Sequence, residues 1–193
     1  MKTEEITTFY PKSRKAWRQW LTKHHRSEQS VWLLLYKKES GKPTISWTDA
    51  VEEALCFGWI DSKRKSLDAE SFIQFFCQRK PKGTWSKINK EKVVELINAG
   101  LMTEMGLASI ETAKQNGSWE ILNEVDALEI PKDLAKAFKA YPGSKDFFLS
   151  LSKSVRKIIL YWLVSAKRVE TREKRVHEVA ERAAQGLKPK HIN

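Results

Sequence analysis

The sequence is poor in the residues that build disulfide frameworks and metal sites. Its 193 residues include only two cysteines, Cys56 and Cys77, and four histidines. Two cysteines cannot staple a disulfide-rich scaffold, and neither residue type recurs at the spacing typical of metal ligands. We therefore expect two reduced, buried thiols and no bound metal.

Long apolar runs are also missing. No stretch approaches the roughly 20 consecutive apolar residues that a membrane-spanning helix requires, so we expect no membrane insertion. Residues 1–6 (MKTEEI) contain no apolar signal core and include two glutamates, which does not support export. The location expected from these features is the cytoplasm.

Motifs that define common enzyme classes are absent as well. The chain has no GxGxxG, no P-loop, no GxSxG and no Ser/His/Asp order, and residues 83–86 contain too little glycine for a phosphate loop. No cofactor is expected. The hydrophobic fraction of 41% is that of an ordinary globular protein, long enough to bury a real core.

The chain does carry a marked excess of positive charge, +11 at pH 7, and two segments hold all of it. Residues 79–92 contain six cations against one carboxylate, and residues 153–175 contain eight against two. Charge concentrated in this way indicates an anionic partner. The alternative is that the two segments form solvated basic faces.

Hydrophobic periodicity predicts an α+β fold with a small, mostly antiparallel sheet of about three strands covered by helices. The expected strands are residues 31–36, 60–67 and 71–79, and the last two form a hairpin. Helices are expected at residues 13–25, 88–99 and 104–115, after Ser46, after Pro131, and at residues 153–185.

A shift in composition predicts how the chain is organised. Residues 120–129 are acidic, so we place a boundary near residue 125. The core domain is then residues 1–125, and residues 126–193 form a helical region that packs on it and ends in one long basic helix. An apolar stripe directs that helix inward, through Val155, Ile158, Ile159, Trp162, Ala166, Val169, Val176, Ala180 and Ala183.

Trp59 and Asp61 are the first candidates for chemistry, because they follow Gly58 at a helix-to-strand junction. Glycine allows a tight turn there, and residues two apart on a strand point to the same side. In a functional interpretation Trp59 is a stacking wall and Asp61 an acceptor or general base. In a structural one Trp59 belongs to the core and Asp61 caps an amide or pairs with arginine.

Residues around Trp85 form a second candidate site. Ser86 or Asn89 is suited to cap the helix that follows, and Arg79 and Lys82 precede it. Free amides in the first turn, the helix dipole and these cations together predict a site for phosphate or carboxylate. Capping alone is the structural alternative.

The predicted C-terminal helix carries a third candidate. Arg168, Thr171, Arg172 and Arg175 share one face by their spacing, and Lys167 lies on its flank. The planar guanidinium group binds oxyanions through two parallel hydrogen bonds, which lysine cannot do. This face therefore predicts a further anion-binding cluster.

These segments together resemble the YdeI/OmpD-associated family, whose members carry bacteriocin-protection names. The resemblance covers nearly the whole chain. It rests on residues 54–61 (ALCFGWID), Trp85, Ser86, Asn89, Gly100, Leu101, Met102, Gly106, Ala113, Lys114, Gly117, Ser118, Trp119, Ala166, Lys167, Glu170, Thr171, Arg172 and Arg175. It implies a link to envelope stress, bacteriocin resistance or an outer-membrane porin, but no catalytic residues. Without an export signal, direct contact with a porin is not expected.

Our leading hypothesis is a cytoplasmic binding protein for an anionic ligand, either nucleic acid or a small phosphorylated or carboxylated molecule. Its predicted ligand-binding residues converge on one site: Trp59, Asp61, Arg79, Lys82, Trp85, Ser86, Asn89, Lys167, Arg168, Arg172 and Arg175. One alternative is an enzyme with Asp61 as general base and the cations as substrate clamp. Another is a protein-interaction module, which predicts an exposed apolar patch.

Overall fold

The computed structural model describes residues 7–192, and the chain divides into two compact units between Trp119 and Glu120. The N-terminal unit is α+β and the C-terminal unit is helical. The expectation drawn from residues 1–6 lies outside the described residues. Between residues 7 and 192, no helix combines the length and the apolar character needed to cross a membrane.

The N-terminal unit confirms the predicted α+β class. Its elements are β1 (Thr8–Phe9), α1 (Arg14–His24), β2 (Ser30–Tyr36), α2 (Trp47–Cys56), β3 (Trp59–Ser66), β4 (Ser71–Gln78), α3 (Lys87–Asn98) and α4 (Glu104–Gln115), with a 3-10 turn at Lys38–Ser40. The sheet order is β1-β2-β4-β3. As predicted, β3 and β4 form an antiparallel hairpin, and β2 pairs with β4 in the same sense.

The prediction of about three mostly antiparallel strands is wrong in one detail, because β1 adds a fourth strand parallel to β2. This strand has only two residues, too few to produce an alternating pattern in the sequence. It is held by pairing with β2, where the backbone N–H of Trp32 donates to the carbonyl of Thr7 at 2.9 Å.

Four helices of this unit begin with a serine or threonine N-cap. Ser13, Ser46, Ser86 and Thr103 precede α1, α2, α3 and α4, and each side chain accepts a hydrogen bond from the backbone N–H three residues later. These bonds satisfy amides that have no partner within the helix. Of the two caps considered for α3, the structure uses Ser86.

Strand alternation decides which residues enter the core. Val31, Leu33 and Leu35 of β2 and Phe72 and Phe76 of β4 face the helices and are buried. The opposite side, which we call the outer sheet face, carries Ile60, Lys65, Trp32, Leu34, Ile73, Phe75 and Cys77. Each of its apolar side chains is half-buried.

The C-terminal unit is built from five short helices and a 3-10 turn over its described residues. The helices are α5 (Asn123–Asp126), α6 (Lys132–Ala140), α7 (Ser144–Ser150), α8 (Lys153–Val164) and α9 (Val169–Ala184), and the turn is Lys190–Ile192. Its core comprises Leu122, Val125, Leu134, Phe138, Phe148, Ile159, Leu160, Leu163, Val176, Val179 and Ala180.

The single long helix predicted for residues 153–185 is wrong, because residues 165–168 separate α8 from α9. Arg168 has an extended backbone with φ −111° and ψ 143°. A continuous helix of this length would extend about 50 Å and could not pack against itself. The break lets Leu163 and Val176 enter the same core, whereas Val169, assigned to the inward stripe, is 70% exposed.

Candidate functional site

A cleft of about 190 Å³ opens in the N-terminal unit beside the junction of α2 and β3. Three predicted site residues, Trp59, Arg79 and Trp85, lie together in its lining. We call it the α4 cleft. It is lined by His25, Phe57, Gly58, Trp59, Gln78, Arg79, Lys80, Pro81, Trp85, Met105, Ala108, Ser109 and Thr112.

One wall of the cleft is α4, whose backbone packs directly on the α2–β3 junction. A side chain at Gly106 would overlap the carbonyl oxygen of Cys56, and that oxygen accepts from both the N–H and the hydroxyl of Thr103, at 3.0 and 2.6 Å. Gly58 turns the chain at φ +72°, where a Cβ would lie 3.0 Å from the carbonyl oxygen of Met105. The wall consists of Met105, Ala108, Ser109 and Thr112.

Trp59 is a core residue that also lines the cleft. Its side chain is fully buried and meets Trp20 edge-on, with ring centroids 5.8 Å apart. The indole Nε1–H donates to the carbonyl oxygen of His25 at 3.2 Å. Because this polar group already has a partner and the side chain has no exposed surface, Trp59 forms part of the apolar core behind the cleft.

Arg79 follows β4 directly and is held by three contacts. Its backbone N–H donates to the carbonyl of Gly58 at 2.9 Å, and its Nη2 donates to the carbonyl of Thr84 at 2.9 Å. The guanidinium carbon lies 3.6 Å from the centre of the Trp85 ring, a cation–π distance. These contacts fix the guanidinium plane at the cleft.

One nitrogen of that guanidinium group has no acceptor. Nη1 of Arg79 is buried without a hydrogen-bond partner, and no carboxylate of residues 7–192 forms an ion pair with this side chain. Burial lowers the pKa of Arg79 to about 10. A buried cation with an unsatisfied N–H is costly unless an acceptor reaches it. The arrangement therefore suits an oxyanion.

Two other polar side chains of the cleft, those of Gln78 and Ser109, have partners within the protein. The Gln78 amide donates to the carbonyls of His25 and Glu28, both at 2.9 Å. The Ser109 hydroxyl donates to the carbonyl of Gly106 at 2.8 Å. The guanidinium Nη1–H is therefore the buried donor left for a ligand, whereas Lys80 and Thr112 of the lining are exposed.

Lys82, Ser86 and Asn89 do not line the cleft. Lys82 is exposed in the loop before α3. The Ser86 hydroxyl accepts from the backbone N–H of Asn89 at 3.3 Å, so part of the predicted anion site at this helix start is taken by its own cap.

Asp61 lies in a different, shallow depression with Trp47, Ser62, Arg64 and Gln74. Its carboxylate Oδ2 accepts from the Trp47 indole N–H at 2.9 Å and from the Gln74 amide at 3.2 Å. The carboxylate thus joins α2 to the hairpin, and it is not a lining group of the α4 cleft.

Two arginines of the predicted C-terminal face form bonds within their own unit. Arg172 donates through Nε and Nη2 to Asp133, at 2.5 and 3.1 Å, which lowers the pKa of Asp133 and raises that of Arg172. Arg175 donates through Nη1 to the carbonyl of Trp162 at 2.5 Å and to the Ser165 hydroxyl at 3.0 Å. These bonds join α9 to α6 and to the end of α8.

Lys167 and Arg168 are exposed in the connection between α8 and α9. Like Arg172 and Arg175, they belong to the C-terminal unit, whereas the α4 cleft belongs to the N-terminal unit. Convergence of the two sets on one ligand stays a prediction.

Several lining residues were not predicted from the sequence, notably His25, Met105, Ser109 and Thr112. The spacing of positions 105, 108, 109 and 112 does place them on one helical face, next to the small residue Gly106. That pattern is typical of a helix that approaches another backbone closely.

The cysteines and acidic side chains offer no obvious metal site in the part of the chain that the structure describes, where no suitable group of three His, Cys, Asp or Glu residues occurs. Cys56 is buried and Cys77 half-buried, and both thiols are free. Burial raises the pKa of each thiol, which keeps it protonated and unreactive at neutral pH.

Comparison with known families matches the two parts of the chain separately. The family model described as "Domain of unknown function (DUF8412)" matches residues 9–109, slightly more than half of the chain. The model described as "Bacteriocin-protection, YdeI or OmpD-Associated" matches residues 127–186, which confirms the resemblance to that family for this segment and not for nearly the whole chain. No curated protein and no solved structure matches. Both motifs around Trp59 and Trp85 fall within the first match.

Proposed function

We propose that this chain, which belongs to the family of the domain of unknown function DUF8412 and carries a C-terminal segment of the bacteriocin-protection, YdeI or OmpD-associated family, is a binding protein for a small organic anion. The carboxylate or phosphate group of the ligand binds Arg79. Its apolar part lies against Met105 and Ala108 of the α4 wall, in front of the buried Trp59 and Trp85.

The observation that carries this proposal is the buried Nη1 of Arg79 without a partner. Leaving such a donor unsatisfied costs about 1–3 kcal/mol, and more for a charged group. An oxyanion would remove that cost by supplying a charge-assisted hydrogen bond. The pKa of Arg79, lowered to about 10, still leaves the guanidinium positive at neutral pH.

The dimensions of the cleft favour a small ligand. Its volume of about 190 Å³ is below the roughly 300–1,000 Å³ usual for drug-sized molecules. Its lining is largely apolar, with one buried cation and Lys80 exposed beside it. This combination suits a small carboxylate or monophosphate with an apolar body better than a nucleoside triphosphate.

The cellular setting is part of the proposal. We propose that the protein acts in the cytoplasm, and the name of the family matched by the C-terminal segment supports a role in bacteriocin resistance or envelope stress. In this setting the protein would sense the concentration of the small anion or sequester it, and it would not need to contact a porin directly.

The test combines native mass spectrometry of protein purified from cells with thermal unfolding in millimolar benzoate, acetate or inorganic phosphate. The variant is Arg79→Met. Its matched control is Arg64→Met, which removes an exposed arginine that also lies 3.6 Å from an aromatic ring, that of Phe72. We expect a bound mass or a ligand-induced rise in Tm in wild type and in Arg64→Met, and neither in Arg79→Met.

Two results would overturn the proposal. The first is a wild-type protein that carries no small anion and whose Tm responds to none of the three probes. The second is a response that survives in Arg79→Met or is lost equally in Arg64→Met.

A second candidate function, protein interaction, is favoured by exposed aliphatic side chains on α3 and α4. Ile97 and Leu107 are both nearly half exposed and line a shallow groove with Ile110. The Leu107→Glu variant separates the two functions. It should keep the anion response of wild type while losing any protein that co-elutes with it.

The enzyme hypothesis has no comparable support. The Asp61 carboxylate accepts two hydrogen bonds from side chains of its own unit and does not line the cleft that contains Arg79. A general base must reach the proton that it abstracts from the bound substrate. Binding therefore accounts for the geometry better than catalysis.

A further inference from the structure

The outer sheet face combines aromatic and aliphatic side chains on the two central strands. Trp32 of β2 and Phe75 of β4 are register partners, and their rings meet edge-on with centroids 5.0 Å apart. Leu34 and Ile73 are the next such pair on this face. These four side chains are half-buried, and none of them belongs to the hydrophobic core of either unit as far as residues 7–192 are concerned.

Positive charge borders this apolar strip. β3 is an edge strand, and its Lys63 and Lys65 are exposed. The Lys65 ammonium lies 5.1 Å from the centre of the Trp32 ring. Neither β2 nor β4 contains a carboxylate. The single carboxylate of β3, Asp61, lies on the helix-covered face, where it accepts from the buried Gln74.

We propose that the outer sheet face binds single-stranded nucleic acid. Unpaired bases stack on aromatic side chains of a sheet, and lysines beside them contact the phosphates. In a duplex the base faces are stacked on each other, so a duplex would contact only the lysines, through its phosphates. A second copy of the chain is a poorer occupant, since the same lysines would face each other across the interface.

This surface is separate from the α4 cleft. Trp59 and Gln78 of the cleft are register partners on the helix-covered side of the sheet, opposite to Trp32 and Phe75. The two sites can therefore be altered independently, and failure of one proposal leaves the other open to its own test.

The experiment measures fluorescence anisotropy of labelled oligo(dT) and oligo(U) of about 12 nucleotides, with a duplex of equal length for comparison, at about 50 and 200 mM salt. The variants are Lys65→Glu, Trp32→Leu and Trp32→Phe. The matched control is Lys82→Glu, which reverses an exposed lysine in a loop of the same unit.

We expect tighter binding of single strands than of the duplex, weakening with salt. Lys65→Glu and Trp32→Leu should each lower affinity about tenfold, while Trp32→Phe and Lys82→Glu stay within about threefold of wild type. Retention by Trp32→Phe shows that a stacking ring is needed. Arg79→Met should leave this affinity unchanged.

Three outcomes would refute the idea. One is equal or tighter binding of the duplex, and another is the same loss in Lys65→Glu and Lys82→Glu, which would mean unspecific attraction. The third is a wild-type dimer in sedimentation velocity that Trp32→Leu dissociates, which would make this face a homodimer interface.

Discussion

Arg172 and Arg175 of the C-terminal unit differ from Arg79 of the N-terminal unit in how their hydrogen-bond donors are used. In the C-terminal unit, Arg172 donates to Asp133, and Arg175 donates to the last turn of α8. In the N-terminal unit, Arg79 keeps a buried N–H without an acceptor. Arg172 and Arg175 thus join helices, whereas Arg79 keeps a donor that a ligand in the α4 cleft can use. Arg156 of α8 also has a buried Nε without a partner among residues 7–192, but it does not line that cleft.

The same contrast exists within the N-terminal unit. Glu53 is only 3% exposed and accepts from Arg14 at 2.6 Å and from Arg18 at 2.7 Å. Whether an arginine is available therefore depends on the acceptors within its reach and not on the local density of cations. The basic segment of residues 153–175 likewise contains two arginines, Arg172 and Arg175, that are used internally.

The largest effect should come from removing the shared partner of the structural arginines. Glu53→Ala would remove the buried carboxylate that Arg14 and Arg18 share, and we expect a loss of about 2 kcal/mol in the free energy of unfolding. Arg14 would keep its bonds to Asp49 and Glu52. Urea denaturation measures it. Glu91→Ala, at an exposed pair with Lys87, is the control and should change stability by less than about 0.5 kcal/mol. A loss below about 1 kcal/mol for Glu53→Ala would argue against a structural role for Arg14 and Arg18.

A smaller effect is expected in the C-terminal unit. Arg175→Met removes charge-assisted bonds to the carbonyl of Trp162 and the Ser165 hydroxyl, which should destabilise the protein by about 1.5 kcal/mol. The neighbouring exposed Lys174→Met serves as control in the same denaturation experiment. Equal effects of the two substitutions would argue against a structural role for Arg175.

A further prediction concerns Arg79, through the pH dependence of anion binding. The pKa of Arg79 is lowered to about 10 by burial, so this side chain opposes folding while protonated, and that penalty shrinks as pH rises past 10. An anion binds the protonated form. Affinity should therefore be constant through pH 9 and fall about tenfold per pH unit well above pH 10.

Calorimetric titration across this range provides the measurement. Arg79→Lys should begin to lose affinity at a lower pH, because the ordinary pKa of lysine is about two units below that of arginine. An affinity that is flat to pH 11 in wild type would contradict a role for the Arg79 charge.

The smallest effect concerns the ion pair of Arg172 and Asp133, both of which are partly exposed. Arg172→Ala should cost about 0.5 kcal/mol at pH 7. The pKa of Asp133 is lowered in the folded protein, so this contribution is complete above the unfolded pKa near 4 and is lost as pH falls below it. Denaturation at about pH 7 and pH 3, with Asp133→Asn as the partner variant, measures the coupling. A coupling as large at pH 3 as at pH 7 would exclude this pair as its source.

Local signals explain what could be predicted of the fold. The starts at Ser46, Ser86 and Thr103 depend on one side chain and the turn that follows it, so they are visible in the sequence. The break at residues 165–168 is not visible, because either one helix or two can carry the apolar spacing. Packing of α8 against α9 decides between them, and that is a tertiary effect.

The residues of the candidate site also differ in how far the sequence can predict them. Trp59, Arg79 and Trp85 lie in short motifs whose composition predicts a binding site, and the structure brings these residues together. The partner of Arg172 is 39 residues away, so no local pattern could reveal that this guanidinium group is occupied. Met105 and Thr112 depend on how α4 packs, which no single segment specifies.

The contact between Gly106 and the carbonyl of Cys56 has a consequence for how a ligand is selected. Because backbone meets backbone there, the spacing of the α4 wall cannot adjust through side-chain rotamers. The cleft therefore has nearly the same width before and after a ligand binds, and binding costs little reorganisation free energy. We therefore expect the cleft to select ligands by their thickness as well as by their charge.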